Sequence, residues 1–199
     1  MNLCEQVPFA PLTTLGVGGP ARYFVEAETE SDIREAMQFA VGCGLPLFVL
    51  GGGSNLLVAD TGFPGLVLKV RLRGIERVAT GAEVTYTVAA GEDWDAFVAR
   101  AVEDNCAGIE CLSGIPGSVG ATPVQNVGAY GQEVSETICE VVALDRQTME
   151  AFYLRGKSIT ISPRPFQKYR LRIPLIFPIS CGICGRIRSC RFGYKSLAK

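Results

Sequence analysis

Residues 44–60 read GLPLFVLGGGSNLLVAD. A strand-like apolar run, Pro46 to Leu50, leads straight into Gly51-Gly52-Gly53-Ser54-Asn55, and the apolar pair Leu56-Leu57 follows. Three glycines at the end of a buried strand mean that bare backbone is needed there. Two uses are open on this stretch alone. One is a tight turn. The other is an anion cradle, because consecutive glycines let several backbone N–H groups point into one concavity. Ser54 and Asn55 would add side-chain hydrogen-bonding groups. The stretch has no Gly-Lys-Ser/Thr and no dinucleotide-type glycine spacing, so neither of those phosphate loops applies.

Working outward, the flanking segments alternate between strand and helix. Residues 21–29 (ARYFVEAET), 65–70 (GLVLKV) and 83–91 (EVTYTVAAG) read as strands. Residues 31–44 read as a helix with Ser31 as N-cap, Glu35 in the first turn, an apolar stripe of Ile33, Ala36, Met37, Ala40 and Val41, and Gly42 and Gly44 at its end. Residues 93–105 read as a second helix with Trp94, Phe97, Val98, Ala101 and Val102 on one face. The order is an α+β pattern without repeats. The charged, turn-like segment 71–82 is the expected boundary between a first lobe, residues 1–75, and a second, residues 76–150.

Two more glycine-rich stretches stand out. Residues 12–23 carry Thr13, Thr14, Gly16, Gly18 and Gly19. Residues 111–136 hold five glycines and two prolines, but Ile115, Val119, Val124 and Val127 interrupt them. A solvent loop would be more polar. A glycine-rich hairpin and an irregular segment laid against a flat ligand are both open for this stretch. Three such loops in one small chain are more than turns require, and together they point to a long ligand touched by backbone at several places.

The totals narrow the classes. The chain has 199 residues, 48% of them hydrophobic, and a net charge of −1. No apolar run approaches the roughly 18 residues that span a bilayer, and MNLCEQVPFAPL lacks the basic start and apolar core of a signal peptide. A cytoplasmic protein is expected, and its eight cysteines are expected to be thiols. Cys181 and Cys184 have the spacing of a redox or metal pair, but there is no second pair and no histidine, so no metal is expected. The lack of histidine also excludes histidine bases and triads. Charge is unevenly spread. Residues 1–150 hold all 20 acids and eight bases, whereas residues 151–199 hold 11 bases and no acid.

The stretches TTLGVGGPARYF (13–24), VLGGGSNLLVAD (49–60), GIECLSGIPGSVGATPVQNVGAYGQEV (108–134) and VVALD (141–145) resemble, in content and order, the UDP-N-acetylenolpyruvoylglucosamine reductases, also called UDP-N-acetylmuramate dehydrogenases. The resemblance implies a two-lobed FAD-binding module of the p-cresol methylhydroxylase type, with the flavin between two α+β lobes. It implies that Gly51, Gly52, Gly53, Ser54 and Asn55 sit at the FAD pyrophosphate. It further implies that Ser113, Gly114, Pro116, Gly117, Ser118, Gly120, Ala121, Gln125, Asn126, Gly128, Ala129, Tyr130 and Gly131 line the pyrophosphate, ribose and isoalloxazine. The implied activity is reduction of UDP-N-acetylglucosamine enolpyruvate to UDP-N-acetylmuramate in peptidoglycan precursor synthesis. NADPH reduces noncovalent FAD, the hydride passes to the vinyl carbon, a serine protonates the adjacent carbon, and an arginine and a glutamate polarise the carboxylate side. The implied partner is this small-molecule substrate, with no nucleic acid or membrane, for a monomeric protein.

Beyond residue 150 the likeness fades. CRFGYK (190–195) resembles the family segment that ends in Tyr-Arg, which makes Tyr194 and Lys195 the candidate catalytic residues, with lysine where arginine is expected. Lysine keeps the charge but loses the bidentate fork. The Gly-Ser-x-Phe-x-Asn-Pro motif of the proton-donating serine does not occur in the sequence. Residues 151–199 are therefore expected to be an atypical basic tail, the product of a truncated or frameshifted gene, with the C-terminal substrate domain missing. On that expectation the alternative function is a catalytically dead FAD-binding remnant. A basic tail for RNA, DNA or a membrane surface would explain the charge alone and lacks an aromatic platform.

Overall fold

The computed structural model describes residues 1–81, 83–155 and 177–187, with Arg155 and the last segment as backbone only. The N-terminal sheet has four strands. β1 (Leu3–Pro8) runs antiparallel to β2 (Pro20–Ala27). β4 (Phe63–Val70) lies parallel to β2 on one side and to β3 (Leu47–Leu50) on the other, giving the order β1-β2-β4-β3. β1 was not expected from the sequence. Most of its side chains are exposed or half-exposed, so it carries no apolar signal.

Helix α1 (Glu30–Gly42) makes the crossover from β2 to β3, and one face of it is fully buried. Ile33, Ala36, Met37 and Ala40 pack with Val25, Ala27, Leu66 and Leu68 of the sheet. Val41, expected in that stripe, is exposed, because the sheet covers a narrower arc than the sequence pattern allowed. The N-cap is Thr29 rather than Ser31. Its hydroxyl accepts from the Asp32 N–H at 3.1 Å, and the Asp32 carboxylate accepts from the Thr29 N–H at 3.1 Å. This reciprocal pair satisfies two otherwise orphaned donors, which Ser31, already the second residue of the helix, could not do. The Met1 ammonium lies 3.2 Å from Asp32 and from Glu35, fastening the start of β1 to the helix.

The other sheet has the order β11-β10-β12-β6-β5. β5 (Ile75–Thr80) pairs antiparallel with β6 (Glu83–Ala89) through six residues. This corrects the reading of 71–82 as a turn. An edge strand with one half-buried and five exposed positions needs no apolar alternation, and its charges conceal it. β10 (Ile138–Leu144) pairs with β11 (Ala151–Arg155), and β12 (Phe177–Ile187) lies between β10 and β6, antiparallel to both. The short strand β7 (Cys106–Ala107) also pairs with β12. A segment of the basic C-terminal quarter thus fills the middle of this sheet.

Helix α2 (Trp94–Glu103) buries Trp94, Phe97, Val98 and Ala101 against Val84, Tyr86, Val88, Ile138 and Val141, while Val102 turns outward. Tyr86 donates its phenol proton to Asp104 at 2.5 Å, and Arg77 lies 3.4 Å from the same carboxylate, so the end of α2 is tied to β5 and β6. Among the described residues no helix is long and apolar enough to cross a membrane.

The capping geometry yields a stability prediction. Thr29→Ala removes one side of the box and is expected to destabilise the fold by about 1 kcal/mol. The check is a lower urea midpoint at unchanged slope. An unchanged midpoint would contradict the assignment of Thr29 as N-cap.

Candidate cofactor-binding site

The three glycine-rich stretches meet in space. The triple-glycine loop leaves the carboxyl end of β3. A Cβ on Gly52 would lie 2.9 Å from Cα of Gly117, so these two backbones touch where no side chain fits. Ser54 donates its hydroxyl proton to the carbonyl of Pro116 at 3.0 Å, a second link between the same loops. On the other side, the Thr14 N–H donates to the carbonyl of Gly53 at 3.1 Å. Gly53 itself is buried with φ +70, and a Cβ there would overlap the carbonyl oxygen of Leu12. The two glycines therefore differ in role. Gly52 permits contact with the 111–131 stretch, and Gly53 permits contact with the 12–23 stretch.

Between these loops lies a cleft of about 260 Å³. Gly51 to Asn55 form one wall, and Pro116, Gly117, Ser118, Gly120, Ala121 and Gln125 form the other. The floor is apolar, with Phe48, Leu50, Val70, Ala90, Trp94, Ile115 and Val127 among its residues. None of the described residues that line it is charged. Among the described residues, no acceptor takes the backbone N–H groups of Gly51, Gly52, Gly53, Ser54 or Asn55. A row of unspent donors at the rim of an uncharged cleft is suited to an anion, whose charge is then met by peptide dipoles.

The far wall is fixed by the turn that enters α2. The N–H groups of Val119 and Gly120 donate to the carbonyls of Glu92 and Ala90, each at 2.9 Å, and the Trp94 N–H donates to Gly117 at 3.1 Å. The indole N–H of Trp94 reaches the carbonyl of Leu112 at 3.0 Å. Asp95 accepts from the Gly114 N–H at 2.6 Å and from the Ser113 hydroxyl at 2.9 Å, and these bonds, the Gly114 one foremost, hold its carboxyl below the ordinary range.

Not every residue expected at the ligand lies on the cleft. Ser113 and Gly114 turn to Asp95 instead. Asn126 ends the single helical turn α3 (Thr122–Gln125) with φ +43. Its carboxamide donates to Glu133 at 2.8 Å and accepts from the Ser135 N–H at 3.2 Å. Gly128, Ala129, Tyr130 and Gly131 form a small hairpin, β8 (Gly128–Ala129) and β9 (Gln132–Glu133), with Tyr130 93% exposed at its tip. Tyr194 and Lys195 lie outside the described residues. Phe48, Leu50, Val70 and Trp94 of the apolar floor were missed from the sequence because they belong to strands and to α2, where they read as ordinary core, whereas Ile115 and Val127 lie in the stretch already singled out. Trp94, for example, sits on the buried helix face and also lines the cleft.

An α+β pair of sheets joined by glycine loops around an uncharged, donor-rich cleft defines a nucleotide-cofactor module of the p-cresol methylhydroxylase type. The chain belongs to the FAD-binding domain family, whose model, described as FAD binding domain, matches residues 21–147. It is 47% identical over 180 residues to the UDP-N-acetylenolpyruvoylglucosamine reductase of Streptomyces avermitilis, an alignment covering 86% of this chain and 48% of that protein. It is 50% identical over 160 residues to that of Streptomyces coelicolor, covering 80% and 41%. The chain thus spans about half the length of these relatives or less. The crystal structure of UDP-N-acetylenolpyruvylglucosamine reductase from Thermus caldophilus superposes with a TM-score of 0.65 at 25% identity, covering 94% of this chain and 62% of that one. Cholesterol oxidase from Brevibacterium sterolicum, at 16% identity and a TM-score of 0.66, shares the fold.

The two glycines can be separated experimentally. Gly52→Val should push the loops apart at the cleft, an overpacking cost of about 1–3 kcal/mol, and raise the Kd for FAD about tenfold or more. Gly53→Val adds strain at positive φ and a clash with Leu12, so it should lower the melting temperature more than Gly52→Val does. Flavin fluorescence titration and thermal melting read the two effects. Equal loss of fold in both variants would refute the distinction.

Proposed function

We propose that this chain is the FAD-binding part of an NADPH-dependent UDP-N-acetylenolpyruvoylglucosamine reductase, which forms UDP-N-acetylmuramate for peptidoglycan and acts in the cytoplasm as a monomer. The observation that carries this reading is a cleft lined by Gly51 to Asn55, whose N–H groups have no acceptor among the described residues, and by Gly117 and Ser118, in a chain about half identical to such reductases over the same region. When bound, FAD supplies acceptance of a hydride from NADPH and its donation to the enolpyruvyl carbon. The residues of the cleft do the rest of what is assigned to them here. Backbone N–H groups of Gly51 to Asn55 hold the pyrophosphate. Ser118 and Gln125 supply polar side chains on the opposite wall, and Trp94, Ile115 and Val127 keep water from the apolar part.

A second reading is a module that binds FAD but does not turn over. It is favoured by one observation, that the Gly-Ser-x-Phe-x-Asn-Pro motif carrying the proton-donating serine is absent from these 199 residues. Loss of a positioned acid costs about 10²–10⁴-fold in rate. Reaction in the relatives is a property of a chain roughly twice as long.

The two readings predict one common result and one divergent one. Purified protein should release FAD on denaturation, as the family resemblance implies noncovalent binding and the 199 residues contain no histidine for an N-linked attachment. A colourless protein that takes up no FAD on refolding would refute both. For the 199-residue chain alone, anaerobic NADPH consumption is expected to show no dependence on UDP-N-acetylglucosamine enolpyruvate. Substrate-dependent formation of UDP-N-acetylmuramate at about 1 per second or faster would show that residues 151–199 supply the catalytic groups and would eliminate the second reading.

A further inference from the structure

We propose that Asp95 is a positioning residue for the cofactor: it holds segment 112–118, one wall of the cleft, in the shape that admits FAD. This inference rests on the reading of the cleft as the FAD site and adds a residue outside its lining. Segment 112–117 runs past the start of α2 without forming a strand or a regular helix beyond Leu112. Gly114 and Gly117 both have positive φ, +78 and +147, so the segment has two freely deformable points. Hydrogen bonds fix it at intervals. Trp94 takes Leu112 and Gly117, and Ser54 takes Pro116. The Ser113 N–H donates to the carbonyl of Glu110 at 3.4 Å, and the side chain that holds both residues 113 and 114 is Asp95, whose Oδ1 accepts from the Ser113 hydroxyl and the Gly114 N–H.

Asp95 is the only charged member of this set of anchors, and hydrogen bonds to a charged group are about twice as strong as neutral ones. Its depressed pKa has the same origin, since both bonds favour the ionised form. Asp95 also differs from its neighbour Asp93, which caps α2 by accepting from the Ala96 N–H at 2.9 Å. Asp95 is the second residue of α2, within its first turn, where Asp93 already makes the cap. Its side chain instead reaches out of α2 to the loop. Without it, Ser113 and Gly114 lose their tether while Ile115, Pro116 and Gly117 still line the cleft, so the expected damage is to the cleft shape rather than to the helix.

The test compares Asp95→Ala, Asp95→Asn and, as a destabilised control remote from the cleft, Thr29→Ala, in the full chain. In the apo protein, hydrogen exchange of residues 112–118 should accelerate in Asp95→Ala while protection of 94–103 is unchanged. FAD titration should show Kd raised about tenfold, the scale for lost bonds to a half-exposed charge, with the visible flavin band shifted toward that of free FAD. Asp95→Asn keeps an oxygen acceptor and should restore part of both effects. Thr29→Ala should lower the melting temperature and leave exchange at 112–118, Kd and spectrum as in the wild type. Unaltered exchange at 112–118 in Asp95→Ala would overturn the proposal, as would wild-type Kd and spectrum in that variant. If the unsubstituted chain takes up no FAD, the reading of the site fails, and the exchange experiment still decides whether Asp95 holds the loop.

Discussion

The close approach of Gly52 and Gly117 is the contact on which the site depends. Gly52 lies at the end of the parallel strands of one sheet, and Gly117 lies in the loop braced by the helix of the other. With 2.9 Å between the position of a Gly52 Cβ and Cα of Gly117, any side chain would hold the loops apart. Because both backbones are bare, Ser54 can reach Pro116 and the cleft closes to a narrow slot. Among the described residues the N–H groups of Gly51 to Asn55 at this contact have no acceptor.

The chemistry of the slot follows from what does not line it. Residues 1–150 carry twenty acids against eight bases, so the surface around the cleft is not generally attractive to a diphosphate. Exposed charges farther off than about 8–10 Å are screened at physiological salt. The short-range groups available to an anion at the cleft are the peptide N–H groups of Gly51 to Asn55, which have no acceptor among the described residues. Fixed dipoles of this kind need no reorganisation when the anion arrives. The far wall obtains the same rigidity from Glu92, Trp94 and Asp95 at the start of α2.

The sheet behind that wall is closed by residues remote in sequence. β12 lies between β6 and β10, and its pairing with both makes residues 177–187 part of the sheet that carries α2. A central strand so far along the chain from β6 adds non-local contacts, which form slowly because the loop-closure entropy precedes their gain. The backbone of 177–187 is thus structural material for the module, whatever the origin of the basic composition around it.

The sequence by itself determined the α+β class, the two amphipathic helices, four of the strands and the three glycine loops, because each is written in local periodicity or in a bare backbone. The cofactor class was legible from motif order rather than from any single motif. The triple-glycine stretch by itself left both a turn and a cradle open. Only the tertiary structure decided which glycines serve packing, that Ser113, Gly114 and Asn126 bond within the protein, and that Trp94 is shared between core and cleft. It also decided that β5 is a strand, since an exposed edge has no buried face to reveal it. The physical reason is the same throughout. Local sequence records what a residue can do within its own turn or strand, whereas a cleft is made by groups forty or sixty residues apart, and their partners are chosen only when two sheets bring them within hydrogen-bonding distance.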